Sequence, residues 1–562
     1  MKTDSTSSRR SLSVINRCSL VRVSILLQSF ALLALLACSS APGQTNNAAK
    51  RQKLPSPEKI VGDYLKAIGG KRRVAAIKDA TYEWTVVKDD PMFLGLRTGT
   101  TQLKPPASTH FLVESKAQQG TADGIRTGDH VSKDLLRFES GANARSAWIR
   151  DDATGLRTLT DARAQTAKLY SMLDASHLVD YKKSRVLART TGLDESTGEP
   201  AYVVEFSLRN GARVRYWFSV SNKLLRATDT DVHNMSRTFS DYKDENGLLE
   251  PHKVSWHTRE TEILTLQLKQ VRYNTGLSDS LFDPPSTEPI DIGAMLRDVD
   301  HNQEIIDERV GEYTYTEKRT ERKINDKGEV TEETVGLFEV YPVPGRESVR
   351  KLISENGVPL SAEKAAKEEK RVSEALEKAE RERVKAVEKR RKDTLGGNKR
   401  RSDRDDVGIA DFLSAAEMVS PRRERLRDRD AIVFDFRPRA GYKPKTSVES
   451  IITKLAGVVW IDPVDNQVMR LEARLIESYK MGGGLLASVR PGTAVVFEQK
   501  RMDDGVWLPV FSQANISAKI FLFKGINVNV VQEFSNYQRF KSNVDDYKLT
   551  SPDQKSKAPP SP

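Results

Sequence analysis

Residues 237–256 read RTFSDYKDENGLLEPHKVSW, and the interpretation of the surrounding chain follows from this stretch. Both of its ends are strand-like, and Asn246-Gly247 lies between them. Asn-Gly is typical of a type I′ turn, because both central residues of that turn need a positive φ. The stretch therefore predicts a β-hairpin.

A second stretch, residues 494–516, repeats the pattern as AVVFEQKRMDDGVWLPVFSQANI, with Asp504-Gly505 near its centre. In each copy a proline follows the turn glycine by four residues, at Pro251 and Pro509. Two copies of one hairpin indicate two copies of one sheet. A chain of 562 residues is long enough to form two domains, each with its own core.

Strand-like segments around both hairpins alternate apolar and polar residues. This alternation predicts curved antiparallel sheets that have one face on a core and one face in water. Ahead of the first copy, Ser56-Pro57-Glu58 indicates the start of an amphipathic helix and Gly69-Gly70 its end. Residues 361–392 are strong helix formers with a thin apolar stripe, which predicts an exposed charged helix. Residues 409–419 are predicted to form a short amphipathic helix.

The N-terminus has the features of an export signal, with basic residues in 1–22 followed by an apolar run at 23–37. This run is shorter than the ~20 residues of a membrane-spanning helix. Its end, Leu35-Leu36-Ala37-Cys38, resembles the lipobox of bacterial lipoproteins, which implies lipidation of Cys38. Ordinary cleavage near Ala41 and a retained anchor are the alternatives. We expect a signal peptide at 1–38 and a periplasmic body, anchored through Cys38 to the outer membrane.

Composition limits the classes of partner. The 90 basic and 78 acidic residues give a net charge of +12, which suits an anionic membrane surface. The basic stretches at 389–392 and 399–404 contain no aromatic residues for base stacking, so we expect no nucleic acid partner. Both cysteines, Cys18 and Cys38, precede the body, which therefore contains no disulfide.

The sequence contains no motif for metal or nucleophilic chemistry. Seven histidines are present, and His252 and His257 are five residues apart on a predicted strand, so they point to opposite faces. No HExxH motif, zinc-ligand spacing or nucleophile elbow occurs. We expect no metal, no cofactor and no catalytic residue. An envelope hydrolase would need converging titratable groups, which the sequence does not indicate.

The first copy resembles the LolA/LolB-like family of bacterial lipoprotein carriers. The resemblance rests on DYLKAIGG (63–70), WFSVSNKLL (217–225), FSDYKDENGLLEP (239–251) and NTGLSDSLFDPP (274–285). It implies an incomplete antiparallel β-barrel whose helices lid a hydrophobic cavity. It also implies binding of the acyl chains of a lipid or lipoprotein, and a role in outer-membrane trafficking.

The second copy matches this layout by pattern, because Trp460-Ile461-Asp462 stands where Trp217-Phe218-Ser219 stands in the first. The predicted fold class is α+β, with two tandem curved antiparallel β-sheets (incomplete β-barrels), lidding helices and an exposed charged helical insertion. We predict a tether at residues 39–54 and a first LolA-like domain at 55–290. A second LolA-like domain follows at 297–545, with the insertion at 361–430 inside it. Residues 546–562 are predicted to be a disordered tail.

Candidate lipid-binding residues are large apolar side chains on the predicted inner faces. They are Phe206, Phe218 and Leu266 in the first domain, and Phe434 and Trp460 in the second. The competing hypothesis is a structural or assembly module of the envelope. In such a module the cavity is filled by the protein's own side chains, and the charged arm binds a partner protein.

Overall fold

The structure is a computed structural model. It describes residues 54–89, 97–114, 137–196, 198–259, 261–286, 289–326, 328–343, 348–395, 412, 414–445, 447–481, 487–520 and 524–539. The predicted signal peptide, Cys38 and the predicted tail lie outside these residues, as does all of the predicted tether but its last residue. Those predictions are therefore untested.

Helices are few among the described residues. They are α1 (Pro57–Ala67), α2 (Lys71–Val74), α3 (Asp161–Ala175), α4 (Ile292–Val310), α5 (Ala362–Leu395) and α6 (Ser447–Ile452). Helix α1 begins as the sequence predicts, because the Ser56 side chain accepts a hydrogen bond from the Lys59 backbone N–H.

The first sheet has 13 strands within the described part of the chain, all antiparallel to their neighbours. In chain order they are β1 (Ala80–Asp89), β2 (Thr98–Lys104), β3 (Ser108–Glu114), β4 (Arg137–Ala142), β5 (Ala147–Asp151), β6 (Gly155–Thr158), β7 (Leu187–Asp194), β8 (Ala201–Ser207), β9 (Arg213–Ser219), β10 (Leu225–Thr230), β11 (Met235–Glu245), β12 (Leu248–Thr258) and β13 (Thr261–Tyr273). Their spatial order is β6-β5-β4-β3-β2-β1-β13-β12-β11-β10-β9-β8-β7.

The second sheet also has 13 strands among the described residues. They are β14 (Tyr313–Ile324), β15 (Val330–Tyr341), β16 (Val349–Glu355), β17 (Val358–Pro359), β18 (Ala416–Leu426), β19 (Arg429–Pro438), β20 (Leu455–Asp462), β21 (Gln467–Leu475), β22 (Tyr479–Met481), β23 (Ala487–Val489), β24 (Ala494–Arg501), β25 (Trp507–Ile520) and β26 (Lys524–Arg539). The main path runs β17-β16-β15-β14-β26-β25-β24-β21-β20-β19-β18, and the β22–β23 hairpin pairs with β25.

The two sheets share one strand order. When β5 and β6 are set aside in the first sheet, and β22 and β23 in the second, each remaining strand has a counterpart in the same spatial position. For example, β1 and β13 are adjacent at the centre of the first sheet, as β14 and β26 are in the second. The predicted fold class, two tandem curved antiparallel sheets not closed into barrels, is confirmed.

The opening hairpin forms as predicted. Strands β11 and β12 pair from Met235↔Thr258 to Glu245↔Leu248, and the turn residues Asn246 and Gly247 have φ of 59° and 80°. The tip of the hairpin contacts the end of α1. There the Leu249 N–H donates to the Ile68 carbonyl at 2.9 Å.

The helical insertion is shorter than predicted. Helix α5 covers most of residues 361–395, and most of the side chains described in it are exposed. Residues 416–426, however, form the edge strand β18 instead of the end of the insertion, so the prediction of a helix at 409–419 is wrong from Ala416 onward. Pairing with β19, from Ala416↔Pro438 to Leu426↔Arg429, outweighs the local helical pattern.

Each sheet carries helices on one side, which we call its inner face. In the first half, α1 and α3 supply Ile60, Leu65, Leu169 and Leu173 to a single apolar cluster over the sheet. In the second half, α4 supplies Leu296 and Val299 to a smaller cluster. Burial of these amphipathic helix faces holds the helices on the sheets.

Gly457 lies in a closely packed part of the second sheet, so we expect its substitution by a larger residue to destabilise the fold. A Cβ at Gly457 would lie 1.8 Å from the Glu472 carbonyl oxygen and 2.8 Å from the Phe436 ring, so strand β20 would have to shift. We expect Gly457→Ala to lower the free energy of unfolding by about 2 kcal/mol or more. Gly62→Ala on helix α1 is the matched control, because a Cβ there has no neighbour within 4 Å. It should be neutral or stabilising. Urea denaturation measures both, and equal effects would contradict the prediction.

Candidate functional site

The three wall residues predicted in the first half lie together on its inner face. Phe206, Phe218 and Leu266 are 0%, 1% and 2% exposed and belong to one apolar cluster. The Phe218 ring lies 5.4 Å from the ring of Tyr64 on helix α1. The three residues share a face as predicted, but the helices and the protein's own side chains cover that face.

The two wall residues predicted in the second half lie on opposite faces of its sheet. Phe434 pairs directly with Val459, whereas Trp460 pairs with Val433, the neighbour of Phe434 on β19. Because alternate residues of a strand point to opposite faces, Phe434 faces helix α4 and Trp460 faces away from it. The expectation that both line one inner wall is wrong. A lipid-binding role for any of the five residues is still a prediction.

A cleft of about 790 Å³ opens between β10 and β11 of the first sheet. The two strands pair only from Ala227↔Thr238 to Thr230↔Met235. Beyond Thr238 the strands separate, and Asp241 adopts a positive φ of 55°, which interrupts the regular alternation of β11. The Tyr242 hydroxyl spans the gap and donates to the Leu225 carbonyl at 2.7 Å.

The cleft passes from a polar rim to an apolar floor. Trp217 and Arg226 lie at its outer end, on the face away from the helices. Leu225 and Phe239 also line it, and Leu225 is only 8% exposed. Leu225 belongs to the core cluster under α1 and α3, and Phe239 packs against that cluster. The floor of the cleft is therefore formed by side chains that also contact the core of the first half.

The rim of the cleft carries fixed carboxylates. The Trp217 indole N–H donates to Asp194 at 2.8 Å, and hydrogen bonds from Ser196 and Trp217 lower the pKa of that carboxyl. Glu199 likewise has a lowered pKa, first through the Ser221 hydroxyl. Both groups are ionised at neutral pH, which favours a water-exposed rim.

Inside the first half, one ion pair joins helix α3 to the opening hairpin. Arg237 on β11 donates to Asp174 on α3 at 2.8 Å, and its guanidinium lies 4.4 Å from the centre of the Tyr170 ring. Burial alone would lower the pKa of Arg237, but the Asp174 carboxylate outweighs it and raises that pKa. The pair fixes α3 over the sheet.

A second buried group lies on the same hairpin. The Glu250 carboxyl is 8% exposed and accepts hydrogen bonds from the hydroxyls of Tyr82 at 3.1 Å and Tyr273 at 2.6 Å. Burial raises the pKa of Glu250 to about 7. The sequence analysis missed Arg237 and Glu250, although alternation along the hairpin places both on the face of Trp256, where charged residues are unexpected.

Among the described residues, no cluster of histidine, cysteine and carboxylate side chains has an arrangement that could hold a metal ion. The described helices also include none that is both long and apolar enough to span a bilayer.

No family model and no curated protein matches the chain. Solved structures similar to it include a LolA superfamily protein from Nitrosomonas europaea, with 11% identity, a TM-score of 0.26, and coverage of 41% of this chain and 98% of that one. A DUF1329 family protein from Desulfovibrio piger has 14% identity, a TM-score of 0.24, and coverage of 41% and 98%. The MucA/MucB complex of Pseudomonas aeruginosa matches at 10% identity, with a TM-score of 0.14 and coverage of 86% and 99%. TM-scores this low establish neither a shared family nor a shared function.

The raised pKa of Glu250 predicts a pH dependence of stability. Its folded pKa of about 7 exceeds its ordinary value of 4.5, so its contribution to stability is present below pH 4.5 and is lost as pH rises to 7. Glu250→Gln removes this titration. The variant should therefore gain about 3 kcal/mol relative to the wild type between pH 4 and pH 8, measured by urea denaturation. A difference between the two proteins that is constant with pH would contradict the assignment. Tyr273→Phe removes a hydrogen bond to the ionised carboxylate and should steepen the wild-type dependence.

Proposed function

We propose that this protein is an exported, non-enzymatic binder of the acyl chains of a lipid or lipoprotein in the bacterial envelope. Its first half binds the chain between the inner face of the sheet and helix α3. The observation that carries the proposal is the β10–β11 cleft, because its rim is polar and its floor is formed by side chains that contact the apolar core. Such a cleft suits an amphiphile whose headgroup stays in water outside the rim while its chain enters past Leu225 and Phe239.

The driving force is apolar burial. Each methylene removed from water contributes about 0.8 kcal/mol, and no covalent step is needed. Since Phe206, Phe218 and Leu266 are fully covered, the chain takes the place of protein contacts and displaces part of the covering helix layer. The energy gained is therefore the difference between chain burial and lost core packing, which suits reversible uptake and release.

The cellular setting follows from the N-terminus. The signal peptide at 1–38 and lipidation of Cys38 would tether the body to the outer membrane from its periplasmic side. The excess of basic residues favours contact with anionic headgroups, so the body would work close to a membrane surface. The ligand is then a lipid or a lipoprotein transferred at that surface.

A second candidate is an assembly module that binds a partner protein. Two observations favour it. The inner face of the first half is filled by the protein's own side chains. Helix α5 packs on β16 near Val372, which is 4% exposed, and presents mostly exposed charged residues beyond that point, with Val384 48% exposed. A thin apolar stripe on a charged helix suits docking to another helix.

The cleft can be closed without touching the core. Ala227 lies on the outer face at the point where the strands separate, so Ala227→Trp places an indole in the cleft. We expect this variant to bind 11-dansylaminoundecanoic acid at least ~10-fold more weakly than the parent, since the indole fills the path to the core. The measurement is a fluorescence titration in a Cys38→Ser background, in which the chain carries no acyl group of its own.

Lys253→Trp is the matched control, because it adds the same ring to an exposed outer-face position on β12, outside the cleft. Its affinity for the probe should match that of the parent. If both variants bind the probe equally more weakly than the parent, the probe does not bind through the β10–β11 cleft. Absence of probe binding by the parent itself, with no lipid in the mass spectrum of an organic extract, would eliminate the carrier proposal and leave the assembly module.

A further inference from the structure

The first half docks onto the outer face of the second sheet. Thr158, the last residue of β6, donates from its backbone N and its Oγ1 to the two carboxylate oxygens of Glu424 on β18, at 2.7 and 2.6 Å. The Ser146 hydroxyl donates to Asp435 on β19 at 2.7 Å. All four side chains are buried, so these bonds belong to a buried interface between the halves.

One arginine occupies the centre of this interface. Arg422 on β18 is 0% exposed. Its Nε donates to Glu424 at 2.6 Å, and its Nη2 donates to Asp435 at 3.0 Å and to the Thr158 hydroxyl at 2.6 Å. A single guanidinium therefore bonds to both halves. Its bonds to Glu424, Asp435 and the Ser420 carbonyl lie within the second half, and its bonds to the Thr158 hydroxyl join the halves.

Helix α3 lies between the two halves. On its inner side, Leu169 and Leu173 are 0% exposed in the core of the first half. At its first residue, Asp161 pairs with Arg470 of the second sheet at 2.8 Å. Lys168, in the middle of the helix, has its pKa lowered by burial, partly offset by Glu472 of β21. The second sheet is thus tied to α3 at the N-terminal end of the helix, through Asp161.

We propose that the second sheet locks α3 over the first core, so that the acyl-binding half opens only when the interface around Arg422 loosens. This inference rests on the proposed function. The core beneath α3 is filled, and a chain that enters it must displace the helix. Since Asp161 begins α3 and Thr158 lies three residues before it, displacement of the helix strains the bonds that these two residues make to the second sheet.

The coupling is reciprocal. A ligand that favours the displaced helix weakens the interface, and a weakened interface raises the affinity for that ligand by the same factor. The second half then has a regulatory role even without a ligand of its own. Any partner that separates the halves would promote uptake of the ligand.

The test removes hydroxyls from the first-half side of the interface and leaves the buried charges in place. Ser146→Ala combined with Thr158→Val is nearly isosteric. In the full-length Cys38→Ser chain we expect ~5-fold tighter binding of 11-dansylaminoundecanoic acid. Amide hydrogen exchange in residues 161–175 should become at least ~10-fold faster, while exchange in residues 57–67 stays unchanged.

The matched control is Ser255→Ala combined with Thr265→Val. These two buried hydroxyls bond to each other at 2.8 Å between β12 and β13 and make no bond to the second half. This control should alter neither the affinity for the probe nor the exchange of α3. If circular dichroism shows the interface variant to be unfolded, Asp161→Asn with Ser146→Ala replaces it, since Asn tolerates the positive φ of 54° at position 161.

Unchanged exchange of α3 in a folded interface variant would overturn the lock, whatever the probe does. Faster exchange of α3 without any probe binding in any protein would support the lock and eliminate the proposed acyl ligand. Faster exchange with tighter binding supports both. Faster exchange with unchanged, measurable binding would overturn the coupling.

Discussion

The buried guanidinium of Arg422 is the interaction on which the arrangement of the two halves depends. Fully removed from water, it is balanced by Glu424 and Asp435 and oriented by Thr158 of the other half. A buried ion pair adds little net stability when it is complete, but a buried charge without its partner is strongly destabilising. Both carboxylates lie in the same half as Arg422, so separation of the halves would keep this charge paired but would expose it and break its bonds to the Thr158 hydroxyl.

The linker between the halves reinforces this geometry. Phe282 is 1% exposed, and the Asn143 amide donates to its carbonyl at 2.9 Å. Arg145 pairs with Asp283 in the linker and lies 3.5 Å from Asp435 in the second sheet. The linker is thus packed into the same charged layer. Rotation of one half against the other would break contacts at both places.

The two sheets share a strand order but use it differently. In the first, helix α3 closes a large apolar core, and side chains that contact this core form the floor of the cleft between β10 and β11. In the second, the corresponding connection contains the long charged helix α5, which packs mainly on β16. Both faces of β19 and β20 are buried, one against α4 and one on the side of the first half. The two copies therefore differ in what covers their sheets: helices cover the first on one face, whereas β19 and β20 of the second are covered on both faces.

Local sequence determined much of this protein. The Asn246-Gly247 turn needs positive φ at both positions, and the period-two alternation around it can satisfy only a half-buried antiparallel sheet, so both hairpins and the duplicated layout were predictable. The shared wall of Phe206, Phe218 and Leu266 followed from the same alternation. The tertiary structure alone decided the strand at 416–426, the opposite faces of Phe434 and Trp460, and the cleft beside Leu225. It alone decided that Arg422 meets Thr158, 264 residues away. Such features depend on which strands become neighbours and which faces become buried, and local pattern does not encode contacts between residues so far apart in the chain.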